Sequence, residues 1–275
     1  MNPTEFDKFA DEYFDLHARN ISVTGEQPEY FAEYKIRDIY DQMRAAGEVR
    51  DSLRILDFGS GVGSSIPFYR KYFPRSHVVC VDVSRRSLDL AKRRFGDMAS
   101  YLLFDGETIP LKSGICDIAF TACVFHHIPK AEHIALLREI RRVLSIKGGR
   151  LFLYEHNPLN PLTVHAVNTC EFDHDAVLIP AWKMRSQFQD AGYMEIKVRY
   201  RVFFPRSLGF LRGLEFRMPL LPLGAQYCIA GRAPDRGGPE PHRVQVCPDL
   251  REHQSQPSVC SGVIGRGPRR EPFSR

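Results

Sequence analysis

The stretch from Ile55 to Tyr69, ILDFGSGVGSSIPFY, constrains the fold of this chain more than any other. An apolar run ends at Asp57, three glycines follow at alternate positions, and apolar residues then recur at helical spacing. Glycine adopts backbone angles that other residues avoid, and it lets a ligand approach the main chain closely. The stretch therefore predicts a sharp turn from a strand into a helix, with a ligand beside the turn.

The rest of the chain alternates apolar runs with amphipathic segments. Strands that are apolar on both faces and alternate with helices indicate a parallel sheet covered on both sides. In such an α/β, doubly wound sheet, ligands bind beyond the carboxyl ends of the strands, where the strand order reverses. The predicted strands are 54–58, 77–84, 100–106, one within 116–128, 150–157, 195–204 and 225–232, and the predicted helices are 4–18, 28–46, one after the glycines, 84–95, 130–149 and 180–191.

The spacing of the three glycines distinguishes a dinucleotide-binding turn from other nucleotide-binding turns. A dinucleotide fingerprint needs G-x-G-x-x-G, and the third glycine here comes one residue too early. The chain also lacks the phosphate-binding pattern G-x-x-x-x-G-K-[ST]. The segment from Asp57 to Gly63 reads acid-x-G-x-G-x-G, which resembles motif I of the class I S-adenosylmethionine-dependent methyltransferases. Asp82 stands 19 residues after Gly63, where that family has its ribose-binding acid, and HHIP at 126–129 is typical of its type-11 branch.

The resemblance covers 4–232 and extends to a bacterial subgroup of that branch. It implies a seven-stranded Rossmann-like methyltransferase sheet with N-terminal helices, and S-adenosylmethionine as cofactor. Two acids have alternative interpretations: Asp57 as a carboxylate that stabilises the turn, and Asp82 as an acid at a helix N-terminus. The residues that the resemblance assigns to the cofactor are Asp57, Gly59, Gly61, Gly63, Asp82, Val83, Asp105, Gly106, Ala122 and His127.

The methyl acceptor decides whether the protein must supply a base. A hydroxyl acceptor benefits from a general base, whereas a carboxylate, an amine or an activated carbon can do without one. His156 follows the fifth strand, where acceptors meet the cofactor in this fold, so it is a candidate base or acceptor ligand; alternatively it hydrogen-bonds the turn at 157–158. His127 is the second catalytic candidate, with lining of the methionine pocket as its alternative. Other candidates on these loops are His126, Tyr154, Glu155, His165, Asp173 and His174.

Composition excludes several other classes of protein. The net charge is +5, and the segment 231–275 holds eight Arg against five acids, so the remaining 230 residues carry only +2 and no nucleic-acid surface is expected. The seven cysteines are odd in number and never form C-x-x-C, so neither a disulfide framework nor a metal site is predicted. They are Cys80, Cys116, Cys123, Cys170, Cys228, Cys247 and Cys260.

We predict three regions: an N-terminal helical cap at 1–50, a methyltransferase domain at 51–232 and a disordered tail at 233–275. The tail has no Lys and is rich in Gly and Pro, and such a composition buries too little apolar surface to offset chain entropy. No apolar run approaches the roughly 18 residues of a spanning helix, and the first residues lack a signal-peptide core. A cytoplasmic protein without a transmembrane segment is therefore expected.

The resulting hypothesis is a methyltransferase that acts on a small-molecule acceptor of lipid or sugar type, with oxygen favoured as the acceptor atom. The alternatives are a non-catalytic partner subunit that binds S-adenosylmethionine and, disfavoured by the glycine spacing, an NAD-dependent oxidoreductase. The apolar stretch 203–223 carries three arginines and is compatible with contact with a membrane surface, although packing against the sheet is the expected role. The oligomeric state stays open.

Overall fold

A computed structural model describes residues 25–170 and 173–235 of the 275-residue chain. The predicted helix at 4–18 and the tail from 236 onward lie outside the described residues. The strands are β1 Arg54–Phe58, β2 His77–Asp82, β3 Ser100–Leu103, β4 Ile118–Ala122, β5 Arg150–His156, β6 Met194–Arg201 and β7 Gln226–Arg232. The α-helices are α1 Pro28–Ala45, α2 Ile66–Tyr72, α3 Arg85–Phe95, α4 His133–Val143, α5 Pro161–Asn168 and α6 Ala181–Asp190, and 3₁₀ segments run over Gly96–Met98, Phe125–His127 and Arg206–Arg217.

The seven strands form one sheet in the order β3-β2-β1-β4-β5-β7-β6. The pairs from β3 to β5 are parallel, and β7 runs antiparallel to both of its neighbours. The strand order therefore reverses between β1 and β4, and the crevice at their carboxyl ends is the expected ligand site of this kind of sheet. The predicted doubly wound α/β fold is confirmed.

Local sequence signals explain several element boundaries. Pro28 begins α1, where its missing N–H costs nothing, and Gly47 follows the helix with a φ of +69°. Ser84 caps α3, because its side chain accepts a hydrogen bond from the N–H of Ser87 at 3.0 Å. These signals place α1 and α3 on the sheet at the positions that their apolar faces require.

Three boundaries differ from the sequence prediction. The helix predicted to reach the glycines at 148–149 ends at Val143, where the chain turns extended at Leu144 to pair with Cys116. The third strand ends at Leu103, before the predicted limit. The segment 157–180, predicted as a long loop, contains α5, whose side-chain cap is Asn160.

Two apolar clusters cover the two faces of the sheet. One packs α4 and α6 against the sheet, and the other packs α1 and α2 against the opposite face. The segment 203–223 behaves differently from its predicted packing: Tyr200 of β6 donates its N–H to the carbonyl of Pro219, but the side chains of Phe210 and Leu220 are 81% and 80% exposed. None of the helices in the described ranges is long and apolar enough to cross a membrane.

Candidate active site

The glycine turn after β1 uses its three glycines for three different purposes. Gly59 has a φ of +70°, and a Cβ there would lie 2.3 Å from a methyl carbon of Val124. Gly63 has a φ of +79°, and a Cβ there would lie 2.8 Å from Cδ1 of Ile66, so this glycine permits α2 and α3 to pack closely. Gly61 has a φ of +51° with open space where a Cβ would be, and it lies on the wall of a cavity. Of these three glycines, Gly61 is the one that leaves open space at the cavity wall.

Asp82 ties β2 to this turn. Its Oδ2 accepts a hydrogen bond from the N–H of Gly61 at 2.7 Å, and its Oδ1 accepts one from the N–H of Ser84 at 2.9 Å. The side chain is 9% exposed and lines the same cavity. A carboxylate has about four lone-pair sites, so Asp82 can hold the turn and still accept hydrogen bonds from a ligand.

Asp57 lies deeper in the cavity wall and is buried. Its Oδ2 has no hydrogen-bond partner among the described residues. Burial raises the pKa of Asp57 to about 7, although the nearby Tyr69 hydroxyl acts in the opposite direction. A buried carboxyl without a partner for one oxygen suits a cationic ligand group, which would favour its ionised form.

The cavity has a volume of about 350 Å³ and is lined by two kinds of residue. One group consists of the glycine turn, Asp57 and Asp82. Residues of α1, α5 and the segment 202–205 form the other group, a largely apolar wall. The main members of that wall are Tyr30, Phe31, Leu162, Val167, Phe203 and Phe204. The lining therefore offers contacts both to a polar ligand and to an apolar one.

A polar cluster stands where β4 and β5 reach the cavity. Glu155 of β5 is 1% exposed, and its Oε1 accepts hydrogen bonds from the N–H groups of Val124 at 3.1 Å and Phe125 at 2.8 Å. Its Oε2 lies 2.6 Å from Nδ1 of His126. Burial opposes a charge on His126, but the Glu155 carboxylate raises the pKa of that imidazole well above its ordinary value.

Asp173 completes the cluster from the segment after α5. Its Oδ1 lies 3.5 Å from Nε2 of His126 and 3.5 Å from Nε2 of His127. The His156 ring lies 5.4 Å from the His126 ring, centroid to centroid. Burial, and next the charge of His126, lower the pKa of His156 to about 4, so its imidazole is neutral near pH 7.

Most of the predicted site residues lie on one cavity. Asp57, Gly59, Gly61 and Asp82 line it, and so do Val83, Ala122, His127 and His156. Gly63 lies behind the turn. Neither Asp105 nor Gly106 is on the wall, because β3 ends early and Asp105 accepts hydrogen bonds from the N–H groups of 107 and 108 instead. Phe104 lines the cavity in their place.

Two features of the cavity involve residues that were not named as site residues from the sequence. Cys123, directly after β4, has a φ of +57° and lines the cavity. A residue with a Cβ rarely adopts that conformation, and such strain is concentrated at functional sites. Tyr30 and Phe31 of α1 also line the cavity, and they belong to the aromatic and apolar pattern that predicted the helix. That stripe alone does not distinguish a core contact from a cavity wall.

Comparison with known proteins decides the family of this site. Residues 56–153 match the profile of a family described as a methyltransferase domain, and the match runs from the glycine turn to β5. The chain contains a class I S-adenosylmethionine-dependent methyltransferase domain. The sequence prediction of this family, and of S-adenosylmethionine as the cofactor, is confirmed.

Two curated methyltransferases resemble the chain. It is 25% identical over 157 residues to the human thiol S-methyltransferase TMT1B, which covers 55% of this chain and 59% of that protein. It is 33% identical over 113 residues to the ubiquinone/menaquinone biosynthesis C-methyltransferase UbiE of Syntrophotalea carbinolica, which covers 40% of this chain and 46% of that protein. The chain therefore spans less than two thirds of the length of either relative.

Solved structures share the fold of the methyltransferase domain. A possible histamine N-methyltransferase from Thermotoga maritima is 19% identical with a TM-score of 0.56, and the alignment covers 85% of this chain and 99% of that one. A methyltransferase from Aquifex aeolicus is 16% identical with a TM-score of 0.54 over the same shares. At these identities the likeness concerns the fold, and the acceptor must be argued from the cavity.

The cavity of the methyltransferase domain fits its cofactor. The open space at Gly61 admits a ligand against the backbone, and the unpartnered Oδ2 of Asp57 suits the ammonium group of the methionine part. Asp82 lines the same cavity, and its carboxylate can accept further hydrogen bonds from ligand hydroxyl groups such as those of a ribose. When bound, the cofactor supplies an activated methyl group on a sulfonium, and the protein orients the reactants and excludes water.

Proposed function

We propose that this protein transfers the methyl group of S-adenosylmethionine to a hydroxyl group on a small, largely apolar acceptor. One observation carries the proposal: the same cavity is lined by the glycine turn, by an aromatic wall and by His156, with Asp173 of the His126–Glu155–Asp173 cluster also on its surface. An apolar acceptor would lie against Phe31, Phe203 and Val167 and point its polar end at this cluster.

The residues divide the work along the cavity. Asp57, the backbone around Gly61 and Asp82 would hold the cofactor at one end. The aromatic wall would exclude water and orient the acceptor, which lowers the entropic part of the barrier. His156 would accept the proton of the acceptor hydroxyl as the methyl group moves, because its imidazole is neutral and faces the cavity at the end of β5.

The catalytic role and the type of acceptor both belong to this proposal. The protein acts as an enzyme rather than as a non-catalytic partner, because the cavity extends past the cofactor end into a formed acceptor end. A thiol acceptor is the second candidate, favoured by the likeness to the human thiol S-methyltransferase. The two candidates share the same geometry and differ in their need for a base, since a thiol ionises more easily.

The experiment is an acceptor screen that reads the release of S-adenosylhomocysteine from small apolar alcohols, phenols and thiols. With the best acceptor, we expect His156→Ala to lower turnover about 10²- to 10⁴-fold, the usual effect of losing a general base, and to leave cofactor affinity nearly unchanged. His165→Ala is the matched control, because that side chain is exposed on α5. If turnover and cofactor affinity fall together, His156 is structural; if neither falls, the base assignment is wrong.

A further inference from the structure

We propose that His126, His127 and Asp173 bind a divalent transition-metal ion at the acceptor end of the cavity. The three residues converge from the 3₁₀ segment after β4 and from the chain beyond α5. One ligand atom from each lies within 4.8 Å of the others. The chemistry of the set, two imidazoles and one carboxylate, is that of zinc and similar ions in catalytic sites.

The separations of the ligand atoms fit a metal better than a direct hydrogen bond. Nε2 of His126 and Nε2 of His127 each lie 3.5 Å from Oδ1 of Asp173. A charge-assisted N–H···O bond spans about 2.7–2.9 Å. Two ligands of a tetrahedral ion with bonds of about 2.1 Å stand about 3.4 Å apart. The observed 3.5 Å separations are therefore close to the distance between two ligand atoms of a tetrahedral site.

Glu155 fixes the form of the His126 ring that a metal needs. An ionised carboxylate only accepts hydrogen bonds, so the 2.6 Å contact places the proton of a neutral His126 on Nδ1. In this neutral form the lone pair of Nε2 faces the Asp173 oxygen at 3.5 Å, and either a metal ion or a second ring proton between the two atoms satisfies both. Nε2 is buried and has no hydrogen-bond partner among the described residues. A carboxylate behind a ligating histidine is the usual support of a metal site.

Charge and access agree with this arrangement. Glu155 and Asp173 are 1% and 8% exposed, and with His126 and His127 neutral a divalent ion would balance their two negative charges in place of the His126 proton. His127 and Asp173 both line the cavity, so the remaining coordination position opens toward the acceptor. An acceptor hydroxyl or thiol bound there would lose its proton more easily, because a metal ion stabilises the anion. This consequence rests on the proposed function, whereas metal binding itself does not.

The test uses cobalt(II), which occupies zinc sites and reports its coordination by visible absorption. The full-length protein is treated with a chelator, dialysed and titrated with Co²⁺ in the absence of any acceptor. We expect one equivalent to bind with the strong visible bands of a four- or five-coordinate ion. His127→Gln should abolish these bands. His174→Gln should leave them intact, because His174 is exposed beside Asp173 and outside the cluster.

Glu155→Gln gives a second, independent readout. The glutamine amide can donate to Nδ1 of His126 and so move the ring proton to Nε2, which blocks that ligand atom. We expect a 10- to 100-fold loss of metal affinity, which is about the usual effect of changing the carboxylate behind a ligating histidine. Calorimetric titration with S-adenosylmethionine checks that each variant keeps a folded cofactor end.

The proposal is overturned if the wild-type protein binds no Co²⁺, which would show that a proton alone lies between His126 and Asp173. It is equally overturned if His127→Gln binds Co²⁺ as the wild type does. Failure of the proposed function would look different. In that case the protein would bind Co²⁺ and S-adenosylmethionine but would release no S-adenosylhomocysteine with any acceptor.

Discussion

At the scale of single residues, Asp57 carries the most information about the cofactor. Its position in the motif predicted a role in cofactor binding. The structure adds that the carboxyl is buried, that its pKa is raised to about 7 and that Oδ2 has no hydrogen-bond partner among the described residues. Such a group prefers to be protonated until a cation approaches it. Cofactor binding should therefore be linked to the ionisation of Asp57.

This linkage predicts a pH dependence. Below pH 7, binding of the cationic methionine end must first remove the Asp57 proton, so affinity for S-adenosylmethionine should fall by up to about tenfold for each pH unit. Calorimetric titrations between pH 5.5 and 7.5 measure it. In the cofactor-free protein the folded pKa is raised, so the free energy of unfolding should decrease as pH rises from about 4 to about 7.

Asp57→Asn is the control for both trends, because an amide does not titrate. The variant should bind the cofactor more weakly at pH 7.5 and show a flat affinity across the same range. A variant that keeps the wild-type slope would show that another group titrates, and Asp57 would then be a purely structural carboxyl of the turn.

At the scale of elements, two glycines of the turn have different roles: Gly63 allows close packing, whereas Gly61 borders the cavity. Gly61 and Gly63 both have positive φ values, so alanine at either position costs about 1–2 kcal/mol in backbone strain. At Gly63 the new Cβ also meets Ile66 and Ala91, whereas at Gly61 it enters the cavity. The two substitutions should therefore differ in what they damage beyond the shared strain.

We expect Gly63→Ala to lower the midpoint of denaturant unfolding more than Gly61→Ala does. Conversely, Gly61→Ala should weaken S-adenosylmethionine binding more than its loss of stability explains. Denaturant unfolding and calorimetry on the same two proteins measure both quantities. If the two variants lose the same stability and the same cofactor affinity, the open space at Gly61 does not contact S-adenosylmethionine.

Elements with strong local signals were predictable from the sequence, and those set by tertiary contacts were not. Most of the strands are short, apolar and bounded by turns, so the sequence pattern predicts them; β6, with its alternating charged residues, is the exception. α5 was missed because Pro158 and Pro161 suggested an irregular exit, whereas Pro161 begins a helix capped by Asn160. For Asp105 the sequence predicted too much structure. The order of the motifs placed it at the end of the third strand, but β3 ends at Leu103.

The candidate site was predictable in its cofactor half and only partly in its acceptor half. Sequence motifs bring Asp57, Gly61 and Asp82 to one edge because parallel strands end together. His126 and Asp173 are 47 residues apart in the sequence, and their meeting depends on how the chain returns after α5. A histidine and an aspartate on these loops were candidates by residue type. The fold adds that Nε2 of His126 faces the carboxylate of Asp173 in one buried cluster.

At the scale of the whole molecule, contacts with the sheet continue to Ala233, one residue after the predicted domain end at 232. Ala233 is buried and donates its N–H to the carbonyl of Gly149 at 2.8 Å, so the sheet region includes it. The composition of 236–275 still predicts that this segment contributes little to stability. The chain should therefore tolerate an end placed just after Asp235.

Truncation after Asp235 tests this expectation. The shortened protein should keep its melting temperature and its affinity for S-adenosylmethionine, because the composition of the removed residues predicts little buried apolar surface. Truncation after Gly231 is the contrasting variant, since it removes Arg232 from β7 together with Ala233, and it should lower the melting temperature. A loss of several degrees after Asp235 would show that the tail packs on the domain.

The most direct test of the central claim is a calorimetric titration of the wild-type protein and of Asp82→Ala with S-adenosylmethionine, with NAD as the competing ligand. Our account predicts one S-adenosylmethionine per wild-type chain, no binding of NAD, and a loss of about 1.5–3 kcal/mol in Asp82→Ala, the scale of hydrogen bonds to a charged group. Asp89→Ala, exposed on α3, should bind as the wild type does. Binding of NAD in place of S-adenosylmethionine, or unchanged affinity in a folded Asp82→Ala, would contradict the account.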